Sequence, residues 1–80
     1  NVSGRKVNPR EIEEALLLLP GVSDAAVLGI PDDARGESLL ACLVPEGELT
    51  RDRVMSHLRE RLAAYKLPRR ILFLAGLPRN

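Results

Sequence analysis

VSDAAVLGIPDDARGESLLACLVP, residues 22–45, is two apolar runs around a polar break. Residues 22–30 and 37–45 are rich in Val, Ile, Leu and Ala and of strand length, so both read as β-strands. The break, PDDARG at 31–36, holds a Pro, an Asp pair and a Gly, the residues that build tight turns. A connection of that length joins antiparallel neighbours, so the stretch predicts a hairpin. Ala41, Cys42, Leu43 and Val44 put apolar groups on both faces, which makes the second strand the central one, covered on both sides.

Upstream lies NPREIEEALLLLPG. Asn8 suits a helix N-cap, Pro9 the first helical position, and Glu11 stands where a capping box places its acid. Ile12, Leu16 and Leu19 recur on one helical face with Ala15 beside them, and Pro20-Gly21 ends the helix. Before it, NVSGRKV (1–7) reads as a short strand or hairpin arm interrupted by Gly4.

Downstream, EGE (46–48) is a turn, and Thr50 caps a second helix with Asp52 in its first turn, where the helix dipole favours an anion. Val54, Leu58 and Leu62 form the buried stripe, Leu49 is placed to staple onto Val54, and Arg51, Arg53, Arg59, Glu60 and Arg61 are left for solvent. Pro68 disfavours a helical Leu67, so AAYKLP ends the helix and RRILFLAG (69–76) reads as a third strand. The order β-α-β-β-α-β predicts one α+β domain over residues 1–80: a small three-stranded sheet of antiparallel type plus the N-terminal arm, packed with two helices.

Composition narrows the function classes. Hydrophobic residues make up 45% of the chain, enough for a core, and Tyr65 and Phe73 are the two aromatics. Cys42 is the one cysteine and His57 the one histidine, too few for a disulfide or a His/Cys metal site. A lone thiol fits a reducing compartment such as the cytoplasm. No apolar run has membrane-spanning length. Net charge is +1, divided as −3 over residues 1–40 and +4 over 41–80, and with two aromatics this gives no nucleic-acid signature.

Few residues are placed for chemistry. His57 falls on a helix flank with no Ser or Cys at a suggestive spacing, Cys42 sits in the most apolar strand, and Asp32, Asp33 and Glu37 cluster around the hairpin turn as a cation site would, though turn chemistry explains the aspartates more simply. SGRKVNP (3–9) is the informative surface stretch: Gly4 leaves room for a ligand or another backbone, and Arg5-Lys6 set two cations beside it.

Four segments taken in order resemble a known family. They are NVSGRKVNPREIEEAL, with its Pro9, Glu11, Ile12 and Glu13; LPGVSDAAVLGIPDDARGESLLACLV, with Gly29, Pro31, Asp32, Gly36 and Glu37; LRERLAAYKLP, with Tyr65, Lys66 and Pro68; and ILFLAGLPRN. The resemblance is to the C-terminal lid domain of acyl-adenylate-forming enzymes, and it covers nearly the whole chain. YKLP and LPRN look more like free-standing acyl-CoA ligases than peptide-synthetase adenylation domains.

The resemblance implies a mobile lid on a large N-terminal domain that holds ATP, Mg and a carboxylic acid. In one orientation the lid assists adenylate formation, and in the other it admits the pantetheine thiol of CoA or of an acyl carrier protein. It implies that Gly4, Arg5 and Lys6 border the pantetheine channel, with Lys66 and Arg69 on nearby surfaces. It places no catalytic residue or metal ligand inside the chain, because the family's lysine follows just beyond Asn80, and it sets residue 1 just after the hinge. An 80-residue piece is thus expected to be inactive alone. The alternatives are a free-standing lid-like protein-binding module and the lid of a peptide-synthetase adenylation domain.

Overall fold

The computed structural model describes residues 4–34 and 36–78. Helix α1 spans Pro9–Leu17, strand β1 Val22–Asp32, strand β2 Gly36–Pro45, helix α2 Arg51–Arg59 and strand β3 Arg70–Phe73, with a 3-10 turn at Ala64–Lys66. The sheet order is β1-β2-β3, so β2 is central as its apolar run predicts.

Local chemistry sets the boundaries. The Asn8 side chain accepts the Arg10 N–H at 3.0 Å, and Pro9 occupies the first helical position without needing a donor. Thr50 Oγ1 accepts the Arg53 N–H at 3.2 Å at the start of α2. In the hairpin the Asp32 carboxylate accepts the Ala34 N–H at 2.9 Å, and Gly36 takes φ +80°, a conformation that L side chains rarely adopt.

β1 and β2 pair antiparallel from Val22↔Pro45 to Asp32↔Gly36. β3 pairs with β2 in parallel, from Leu40↔Arg70 to Leu43↔Phe73, so the sheet is mixed and the expected antiparallel type holds only for the hairpin. The reason is the connection. After β2 the chain crosses through α2 and the 3-10 turn before re-entering the sheet, and a helical crossover returns a strand in the same direction. β3 is also shorter than residues 69–76. Single hydrogen bonds extend it at each end, Arg69 N–H to Leu39 O at 3.0 Å and Leu74 N–H to Leu43 O at 2.7 Å. The expected N-terminal arm is a single β-bridge at Arg5, and residues 1–3 lie outside the described residues.

Both helices cover one face of the sheet. Ile12, Leu16, Leu43, Val54 and Leu58 are fully buried, and Ala25, Val27, Leu39 and Ala41 complete the core from alternate strand positions. Each of the Leu, Ile and Val side chains among them contributes about 1.5–3 kcal/mol on burial, and each Ala less. Leu49 and Leu62 pack against the rim of this cluster. Residues 74–78 return across the other face, where Leu74, Leu77 and Pro78 enclose with Ala26, Leu28 and Cys42 an apolar groove of about 370 Å³. That face is only partly covered: Leu28 stays 52% exposed and Leu72 40%. Among the described residues no helix is long and apolar enough to cross a membrane.

Candidate functional site: a cationic corner

The N-terminal loop enters α1 through the Asn8 cap, which fixes the direction of residues 4–7 relative to the helix. Gly4 adopts φ +76°, and a Cβ built there would meet nothing within 4 Å. The glycine is thus required by backbone shape, and the space beside it is open. Arg5 and Lys6 are exposed.

The second wall of the corner is the 3-10 turn. α2 ends at Arg59 with Glu60 as its C-cap, and Leu67 is extended at φ −76°, ψ 134° ahead of Pro68, leaving one tight turn over Ala64–Lys66. Tyr65 and Lys66 project from it toward the loop. The guanidinium carbon of Arg5 lies 4.7 Å from the centre of the Tyr65 ring and Lys66 Nζ lies 5.7 Å from it, both within cation–π range. Lys66 Nζ also donates to both oxygens of Glu11, at 2.9 and 3.0 Å. That hydrogen bond, with the attraction of the carboxylate, raises the Lys66 pKa above the ordinary lysine value, so the group is a firm ammonium at neutral pH.

The structure therefore brings together Gly4, Arg5 and Lys66, with Lys6 next along the loop. The contacts of Arg69 are backbone ones, its N–H donating to Leu39 O and its carbonyl accepting from Arg51 Nη2 at 3.5 Å. Tyr65 and Glu11 are the members the sequence reading did not assign to the site. The adjacency of the one tyrosine to Lys66 was a usable signal, whereas the Glu11–Lys66 pairing joins residues 55 apart and had none. Chemically the corner sets the exposed cations Arg5 and Lys6 beside an aromatic plane, with Lys66 paired to Glu11.

His57 is buried instead of flanking. Its Nε2 lies 2.6 Å from the Ala15 carbonyl, to which it donates, so it ties α2 to α1. Cys42 is buried in the central strand. Among the described residues no three His, Cys, Asp or Glu side chains group as metal ligands.

A family model of the AMP-binding enzyme C-terminal domain matches residues 11–80. The chain belongs to this family. Relatives of this AMP-binding enzyme C-terminal domain include the 2-succinylbenzoate–CoA ligase of Bacillus cereus strain Q1, 42% identical over 77 residues and 96% of the chain. The long-chain-fatty-acid–CoA ligase FadD13 of Mycobacterium tuberculosis is 40% identical over 78 residues, again 96% of the chain. Among solved structures, o-succinylbenzoate CoA synthetase (MenE) of Bacillus subtilis, in complex with its acyl-adenylate intermediate, superposes with a TM-score of 0.95 at 35% identity. That match covers 99% of the chain and 16% of the synthetase. The chain likewise spans 16% of the length of the two ligases.

Within the domain, the Pro-x-Glu-Ile-Glu segment has a structural explanation at each position. Pro9 starts α1, Glu11 holds Lys66, Ile12 is fully buried, and Glu13 Oε2 accepts the Val27 N–H of β1 at 2.8 Å. Gly29 lies under the Glu37 carboxylate, whose nearest oxygen would stand 3.0 Å from a Cβ at that position.

Proposed function

We propose that this domain is the mobile lid of an ATP-dependent acyl-CoA ligase whose large N-terminal domain binds ATP with Mg and the carboxylic acid. In the first step the acid's carboxylate attacks the α-phosphorus of ATP and pyrophosphate leaves. In the second the thiol of CoA attacks the acyl carbonyl and AMP leaves. The observation that carries this reading is the match over 96% of the chain to CoA ligases named for two different acids. A part common to both suits the steps they share, and choice of acid then belongs to the rest of the polypeptide.

In this reading Gly4, Arg5 and Lys6 border the passage of the pantetheine arm, and Lys66 and Arg69 supply positive charge beside it. Gly4 offers the open space such an arm needs, and the neighbouring cations suit the phosphates of CoA. The buried free thiol of Cys42 is at home in a reducing compartment, in keeping with a cytoplasmic enzyme.

The test is to assay the full natural polypeptide on a broad panel of acids, following ATP–pyrophosphate exchange and thioester formation with CoA or a phosphopantetheinylated carrier protein. Acid-dependent exchange followed by CoA thioester is expected. Exchange with transfer only to the carrier would move the protein among peptide-synthetase-type enzymes, and neither activity on any acid would sink the reading.

A further inference from the structure

Tyr65 is used by neither chemical step, yet it is the residue on which the cationic corner converges. Lys66 and Arg5 both lie within cation–π reach of its ring. Of the two, Lys66 is anchored: both oxygens of Glu11 hold its ammonium, and Glu11 is in the first turn of the capped helix α1. Arg5 belongs to a loop. The residue before it, Gly4, has positive φ and open surroundings, so the loop has little intrinsic preference at that point. At its inner end the loop is fixed by the Asn8 cap and by Val7 packed against the core; at its outer end, beside the single β-bridge, it is held by the attraction of the Arg5 guanidinium to a ring whose position is set from the other side.

We propose that Tyr65 is a positioning residue for the thiol-transfer step. Steadied by its neighbour's ion pair with Glu11, its ring holds Arg5 and thereby keeps the Gly4–Lys6 loop shaped to border the acceptor's passage. The assignment rests on the lid reading above and gives Tyr65 no contact with CoA itself. The ring face is what matters, so phenylalanine substitutes and an aliphatic residue does not.

The experiment uses the full natural polypeptide and its Tyr65→Leu, Tyr65→Phe and Glu11→Gln variants. Three readouts are taken: the ATP–pyrophosphate exchange rate, KM and kcat for CoA, and amide hydrogen exchange of residues 4–7. Tyr65→Leu is expected to raise KM for CoA and to speed exchange in the loop by about two- to fivefold, the effect of losing one exposed cation–ring contact. Pyrophosphate exchange is unchanged in this variant. Tyr65→Phe behaves as wild type, and Glu11→Gln shifts in the same direction as Tyr65→Leu but less. The proposal is overturned if Tyr65→Leu leaves both KM and loop exchange unaltered, or if Phe is as damaging as Leu. It is also overturned if both half-reactions fall together with the unfolding midpoint, which would make the ring merely structural. A wild-type polypeptide that forms no CoA thioester is a different failure, seen before any variant is compared, and removes the lid reading itself.

Discussion

The imidazole of His57 sits where α2 meets α1, with Nε2 2.6 Å from the Ala15 carbonyl. A carbonyl only accepts, so Nε2 carries the proton, and the ring acts as a cross-helix tie. His57→Ala is expected to cost about 1–2 kcal/mol, because it removes a buried donor and its packing. Faster amide exchange in α2 with unaltered pyrophosphate exchange would check this, and a specific loss of chemistry at full stability would contradict it. Lys66 gives a pH prediction. Its folded pKa lies above the ordinary lysine value of 10.5, so the stabilisation from Glu11 is fully present below that value and is lost as pH rises through the raised folded pKa. The stability difference between wild type and Glu11→Gln should hold steady from neutral pH to about 9 and shrink in more alkaline solution, as denaturation midpoints measured against pH would show. Half of this corner was legible in the sequence: a glycine beside two cations marks an open basic loop wherever it folds. The other half depended on the fold bringing residue 11 to residue 66, which no local pattern encodes.

Among the elements, α1 makes the widest set of ties. Besides its apolar face, Glu11 reaches the 3-10 turn and Glu13 accepts the Val27 N–H of β1. β1 is an edge strand, and such an edge offers unpaired groups to other chains. Glu13→Ala should cost about 1–2 kcal/mol and most strongly speed amide exchange at Val27, the one backbone donor it leaves exposed. The hairpin and both helices were readable because their signals are local: caps at Asn8 and Thr50, turn residues at 31–36, and alternation along the strands. The direction of β3 was not carried by its own residues. RILF would pair equally well either way, and only the helical crossover before it makes the pairing parallel.

The molecule as a whole has one filled face and one part-covered face. The helices fill the first, while across the second the returning segment 74–78 leaves Leu28 and Leu72 substantially exposed. A contiguous apolar surface of this kind favours association. The domain produced alone is therefore expected to self-associate with rising concentration, and Leu28→Lys to reduce this, as sedimentation velocity would register. The sheet's connectivity also bears on how the domain assembles in time. Hairpin partners are close along the chain, down to Asp32 with Gly36, whereas β2 meets β3 only across a thirty-residue excursion, as Leu40 does Arg70. Contacts that close short loops form early and those that close long loops form late. The hairpin then leads, with β2 displaying an unpaired, strongly apolar border until β3 arrives. In a chevron of the domain, substitutions in the 31–36 turn should slow folding and those in β3 should chiefly hasten unfolding. The interval before β3 docks is when this chain is most vulnerable to joining a neighbour instead of itself.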